Sequence, residues 1–177
     1  SSGSVGSLIV SSGGFQVDFD WVAPILTTGD WVSWNVGFSQ GAEPTVRVNE
    51  AQTDFGILFR GNGGTQYFDN GSANTGGNFT ATSVARHVTL NYNFSSWADG
   101  SVVTVTASVD GTPVLGSGQT FAWDNNTGGV SFELGTNEAD AGTRIDNFTI
   151  TAVPEPSAVF LSGLAALVAM GRRRRVS

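Results

Sequence analysis

Glu133 and Glu138 are the nearest this chain comes to an acid–nucleophile pair. Enzymes that cut β-glycans place two carboxyl groups about the scissile bond, one as acid and the other as nucleophile or base. The stretch Glu133-Leu134-Gly135-Thr136-Asn137-Glu138 has no acid between its ends and runs into a Gly/Asn turn, so it reads as a strand end and loop. His87 is the sole histidine. It opens a strand on the polar side and has no sequence partner that would make it the base of a nucleophile, so it reads as a surface residue. The chain has no cysteine, which removes disulfides and thiolate metal sites. Of the functions weighed here, glycan cleavage ranks last, and no catalytic residue is assigned.

Binding chemistry has more to work with. Sugars are held by aromatic faces beside amide and carboxylate groups, and five tryptophans are present. Trp21, Trp34 and Trp123 share parity with apolar neighbours and belong in the core. Trp31 shares a strand face with Ser33 and Asn35, Tyr67 shares one with Asp69, and Trp97 precedes Asp99-Gly100 in a loop. Trp31, Asn35, Tyr67, Asp69 and Trp97 are therefore the candidate carbohydrate contacts. No cofactor is required by any motif. Calcium, which takes six to eight oxygen ligands, is the one candidate ion. Asp124-Asn125-Asn126 and Glu138-Ala139-Asp140 are oxygen-rich turns, which makes Asp124, Asn126, Glu138 and Asp140 the candidate ligands.

The elements that must position these groups are strands. Phe15, Val17, Phe19 and Trp21 alternate with Gln16, Asp18 and Asp20; Val32, Trp34, Val36 and Phe38 alternate with Ser33 and Asn35. Phe55-Gly56-Ile57-Leu58-Phe59 reads as a strand buried on both faces, and Gly61-Asn62-Gly63-Gly64 turns the chain into Thr65–Asp69. The span Asn70–Ser83 is Gly, Asn, Ser and Thr without period and reads as a loop. Val88, Leu90, Tyr92 and Phe94, then Val103, Val105, Ala107 and Val109, mark two more strands, the second ending at an Asp110-Gly111 hairpin turn. Gln119–Trp123, Val130–Leu134 and Arg144–Thr151 follow. The apolar parity of the last slips between Ile145 and Phe148, which predicts a bulge at Asp146-Asn147.

About ten or eleven such strands, with no amphipathic helix among them, predict an all-β sandwich of two antiparallel sheets. Residues 1–12 are expected to be a frayed start, 13–152 the sandwich and 153–177 a separate tail.

Several of these stretches resemble the laminin G-like branch of the concanavalin A-like sandwiches. They are Phe55-Gly56-Ile57-Leu58-Phe59-Arg60 with Asn62-Gly63-Gly64, and Tyr67-Phe68-Asp69-Asn70-Gly71. Trp97-Ala98-Asp99-Gly100-Ser101, Val109-Asp110-Gly111 and Arg144-Ile145-Asp146-Asn147-Phe148-Thr149-Ile150 complete the set. The resemblance implies a jelly roll, with ligands on the concave sheet or its rim loops, sometimes through calcium.

Charge narrows the partners. Before Val153 there are fourteen acidic residues against Arg47, Arg60, Arg86 and Arg144, and lysine is absent. A body this acidic excludes nucleic acid, which needs a basic face. It suits neutral glycans, divalent cations and solubility.

The tail is a different polypeptide. Pro154 and Pro156 fix two φ angles and stiffen the segment around Glu155. Ala158–Gly171 carries no charge, and as a helix it rises roughly 21 Å at about 1.5 Å per residue, short of the roughly 30 Å hydrocarbon core of a bilayer. Arg172, Arg173, Arg174 and Arg175 supply half of the eight basic residues and should stay cytoplasmic. In that order, Pro154-Glu155-Pro156, apolar helix and arginine cluster resemble the PEP-CTERM sorting signal of Gram-negative bacteria. The resemblance implies recognition of Pro154, Glu155 and Pro156 by an exosortase, a membrane-embedded protease or transpeptidase. It also implies transient anchoring in the inner membrane, tail removal, and release at the cell surface, often among exopolysaccharide. Such sorting requires an export signal, expected to have been removed or omitted ahead of Ser1. The expected function is an exported, non-catalytic surface or matrix protein associated with exopolysaccharide. A lectin-like carbohydrate-binding module is the alternative.

Overall fold

A computed structural model of the chain describes residues 13–23, 26–38, 48, 53–124, 130–137 and 143–153. Among them are eleven strands and no helix. In chain order these are β1 (Gly14–Val22), β2 (Trp31–Phe38), β3 (Thr53–Arg60), β4 (Gly64–Asp69), β5 (Ser72–Asn78), β6 (Arg86–Phe94), β7 (Val102–Val109), β8 (Thr112–Pro113), β9 (Gln119–Ala122), β10 (Val130–Asn137) and β11 (Arg144–Ala152).

The strands form two antiparallel sheets. A six-stranded sheet runs β11-β1-β6-β7-β8, with β9 also paired to β7, and a five-stranded sheet runs β10-β2-β3-β4-β5. Strict alternation produces this: Val32, Trp34 and Val36 of β2 and the odd-numbered apolar residues of β1 and β3 all point into one core. Phe15, Tyr92, Phe55 and Phe121 interlock there, with Phe15 stacked on Tyr92 at 4.5 Å and Phe55 on Phe121 at 5.3 Å. A buried hydrogen bond ties the sheets through the core: Trp34 Nε1 donates to Tyr92 Oη at 3.0 Å. Trp21, Trp34 and Trp123 are buried, as their parity predicts.

Turn chemistry fixes the registers. Asp110 and Gly111 sit at φ +49° and +78°, the double left-handed geometry of a type I′ hairpin turn. Asn70 and Gly71 do the same at +46° and +76°. That second turn overturns the reading of Asn70–Ser83 as loop throughout, because it feeds β5, which pairs with β4. β5 is exposed along nearly its whole length, so it has no apolar period to betray it. Leu58 is buried on the face of β3 opposite the core, so β3 is buried on both faces, as its unbroken apolar run predicts.

The bulge expected in β11 is present. Asp18 faces Thr149 and Asp20 faces Asp146, so Phe19 stands against both Asn147 and Phe148, with Asn147 at φ +54°. The frayed start, the C-terminal helix and the sorting residues Pro154, Glu155, Pro156 and Arg172–Arg175 lie outside the described residues.

Candidate functional site

The outer face of the five-stranded sheet carries a groove of about 490 Å³. Register sets its rows. Gly135, Ser33, Leu58 and Gln66 are successive cross-strand neighbours, as are Glu133, Asn35, Gly56 and Phe68, and Trp31 stands opposite Arg60. Leu58 and Phe68 give an apolar floor, Trp31 an aromatic wall, and Ser33, Gln66 and Glu133 hydrogen-bonding groups around it.

Two glycines shape the floor. A Cβ on Gly135 would stand 3.0 Å from Ser33 Oγ. A Cβ on Gly56 would meet Asn35 Oδ1 at 2.7 Å and Val48 Cγ2 at 2.9 Å. Val48 thus sits directly on β3 and closes the groove at that end.

Arg60, the one arginine among the described lining residues, is already engaged. Arg60 Nη1 donates to the Thr28 carbonyl and Nη2 to Gln66 Oε1, both at 2.6 Å. Its guanidinium is therefore a fixed wall, braced by the loop before β2, and one acid, Glu133, stands among the described lining residues with it. The apolar floor and indole wall offer packing for the C–H faces of a ligand, and Ser33, Gln66 and Glu133 offer hydrogen-bonding groups at the rim.

The sequence-derived sugar contacts divide. Trp31 and Asn35 share this outer face, but Asn35 is 1% exposed, donates from Nδ2 to Ser33 Oγ at 3.3 Å, and has no partner at Oδ1. Tyr67 points the other way. It stacks on Phe55 at 6.0 Å and donates from Oη to Gln119 Oε1 at 3.1 Å, inside the sandwich. Asp69 ends β4 on that same inward parity and accepts from Asn70 Nδ2. Trp97 lies after β6, in the other sheet, packed between Phe94 at 4.7 Å and Trp123 at 5.0 Å. Trp31, Tyr67 and Trp97 thus do not form one platform. Sequence reasoning missed Arg60, Gln66, Leu58 and Phe68, although carrying the parity of Trp31 across the β3–β4 hairpin would have placed all four beside it.

Of the candidate calcium ligands, Asp124 is described, and its backbone N–H donates to Asp54 Oδ2 at 2.9 Å. Asn126, Glu138 and Asp140 lie outside the described residues. Among the described residues no three His, Cys, Asp or Glu side chains gather to hold a metal. Asp54 itself is fully buried, and burial pushes its carboxyl up to about 7, with Asp124, Asp99 and Asp69 adding to the shift.

His87 does have partners, which the sequence did not reveal. Its Nδ1 lies 2.9 Å from Asp20 Oδ1 and its Nε2 3.3 Å from Asp18 Oδ1. Both carboxylates come from β1, 67 and 69 positions earlier in the chain, so only the β1–β6 register brings them together.

At the end of β11 the ladder continues until Val153 N donates to the Gly14 carbonyl at 3.0 Å. Proline follows, and with no N–H it cannot extend the ladder. Residues 152–175 match the PEP-CTERM protein-sorting motif. No curated protein matches the chain. The PEP-CTERM match begins on the last residue of β11, so the motif is joined to the sandwich without a spacer. A PEP-CTERM motif marks an exported protein sorted through an exosortase, associated with the membrane during processing and placed at the surface or outside the cell. Among the described residues no helix is long and apolar enough to cross a membrane.

Proposed function

We propose that this is a non-catalytic surface or matrix protein that, once delivered by exosortase processing, holds neutral exopolysaccharide in the groove of its five-stranded sheet. The observation that carries the reading is the groove itself: an indole wall over an apolar floor, with one arginine held by its neighbours and one acid beside it. It favours the lectin-like form of the surface-protein reading. The resemblance to the concanavalin A-like, laminin G-like jelly roll supports the same reading. Glycosidase chemistry needs a second carboxyl group about 5–9.5 Å from the first. Glu133 is the one acid among the described lining residues, and Glu138, the other carboxyl group weighed from the sequence, lies outside the described residues. In this reading Pro154, Glu155 and Pro156 are gripped by the exosortase, and the apolar tail anchors in the inner membrane with Arg172–Arg175 on the cytoplasmic side. Calcium, if it contributes, is held by Asp124 and Asn126 with Glu138 and Asp140.

A cellular experiment separates delivery from binding. Trp31→Ala should reach the surface and be processed normally, yet wash off the polysaccharide matrix, while Glu155→Ala should not be delivered. Trp31→Ala retained like the wild-type protein would remove the groove from the account. Normal delivery of Glu155→Ala would remove the sorting role of that residue.

A further inference from the structure

The outer face of the six-stranded sheet holds a row of acidic groups with one titratable base among them. Asp146 of β11 is the direct cross-strand partner of Asp20 in β1, and Asp20 is the direct partner of His87 in β6. Asp18 reaches the same imidazole from two residues along β1, and Asp110, in the turn after β7, accepts from the His87 backbone N–H at 2.8 Å.

Like charges directly opposite on neighbouring strands are destabilising. Asp20 and Asp146 are such a pair. Arg144 pairs with Val22, two residues from Asp146 on the same face of β11, and makes no ion pair with the row among the described residues; the guanidinium of Arg86 is buried on the core side over the rings of Trp21 and Phe79. Lysine is absent from the chain. Among the described residues, protonated His87 is thus the positive charge that touches this acidic row.

Both ring nitrogens face a carboxylate oxygen, and only the imidazolium has an N–H for each. Asp20 is the hub. Its Oδ1 takes His87, and its Oδ2 accepts from Asn147 Nδ2 at 2.6 Å, inside the β11 bulge. Asp18 is held separately by Thr89 Oγ1 and Gln16 Nε2. β11 is an edge strand, paired on one side to β1, and its faces are largely exposed. At the bulge Phe148 reaches the Trp34 ring at 5.8 Å, and Ile145 and Ile150 on either side pack against the core, so the Asp20–Asn147 bond adds to a partly packed strand.

We propose that His87 is a proton-operated clasp on β11, the strand that runs directly into the sorting motif. As an imidazolium it offsets the Asp20–Asp146 opposition and keeps Asp20 set to hold Asn147. As a neutral ring it leaves the acidic row uncompensated, and β11 opens more often. The bonds to Asp20 and Asp18 raise the affinity of His87 for its proton, which moves the release point to the alkaline side of 6.5. Stability from the clasp is therefore complete below pH 6.5 and is lost as pH rises through the raised value.

The test is amide hydrogen exchange on the full chain in detergent micelles at about pH 5.5 and pH 8.5, corrected for intrinsic exchange. An exposed pair of this kind supports a change of about twofold to fivefold. Protection of β11 should fall by that factor at the higher pH, relative to β7. In His87→Gln it should be low at both pH values. In Asp146→Asn, which removes the opposition without touching the imidazole, the pH dependence should shrink. Equal β11 protection at both pH values in the wild-type chain, or a pH dependence that survives His87→Gln, would overturn the proposal. If His87→Gln does not fold, an undiminished pH dependence in Asp146→Asn would do so.

Discussion

Replacing Asp54 by asparagine should make this protein more stable at neutral and alkaline pH and flatten its stability profile. Asp54 is the extra residue where β3 slips against β2: Val36 faces Phe55 and Gly37 faces Thr53. Its side chain is fully buried; Oδ2 accepts the Asp124 N–H, and Oδ1 has no partner. Burial, reinforced by Asp124, Asp99 and Asp69, raises its carboxyl from 3.8 to about 7. A raised carboxyl favours folding while protonated, so its contribution is whole below pH 3.8 and declines until pH 7, where the folded state also releases the proton. At about 1.36 kcal/mol per unit, the full loss is of the order of 4 kcal/mol, and the part falling between pH 5 and pH 8 is about 3 kcal/mol. Asparagine keeps an oxygen for the Asp124 N–H and does not ionise. Urea unfolding of both proteins at pH 5 and pH 8 reads the difference, and titrating groups that do not interact with Asp54 cancel between them. Asp54→Asn should gain about 3 kcal/mol on the wild-type protein in going from the lower pH to the higher. The same stability difference at both values would refute the reasoning that Asp54 is forced to hold its proton.

Trp31→Ala should weaken binding of a neutral glycan about tenfold, near 1.4 kcal/mol, with little effect on unfolding. Tyr67→Ala should do the reverse, costing roughly 2–3 kcal/mol of stability while leaving affinity unchanged, since its ring packs on Phe55 inside the sandwich. Gly56→Ala should destabilise by about 1–3 kcal/mol, because the new Cβ displaces Val48 or Asn35, and paired unfolding curves would show it. Tyr92→Phe should cost about 1–3 kcal/mol, since Trp34 Nε1 then stays buried without its acceptor.

Much of the fold was legible because alternation is a local signal. Phe15 to Trp21 and Val88 to Tyr92 announce both the strand and its buried face, and Asp110-Gly111 announces its turn. β5 was invisible for the converse reason: an edge strand exposed on both faces, Ser-Ala-Asn-Thr-Gly-Gly-Asn, needs no apolar residues. The site was half legible. Trp31 and Asn35 could be assigned to the polar face of β2 from parity alone, whereas deciding that Tyr67 faces inward required the β3–β4 register. The His87 cluster lay further out of reach, since a histidine on β6 and two aspartates on β1 carry no mark of mutual contact until β1 and β6 are aligned. The sorting motif was the most legible part, because its information is linear: two prolines about a glutamate, an apolar stretch and an arginine block.

The central claim, that the groove holds neutral polysaccharide, is tested most directly by titrating the full chain in detergent with the producing organism's exopolysaccharide, first with calcium and then with EDTA. The account predicts saturable binding that survives EDTA and is weakened about tenfold in Trp31→Ala. Loss in EDTA would place an ion in the binding site, contrary to the groove as described. No saturable binding in either buffer would contradict the claim outright and leave an exported, sorted sandwich that does not hold polysaccharide.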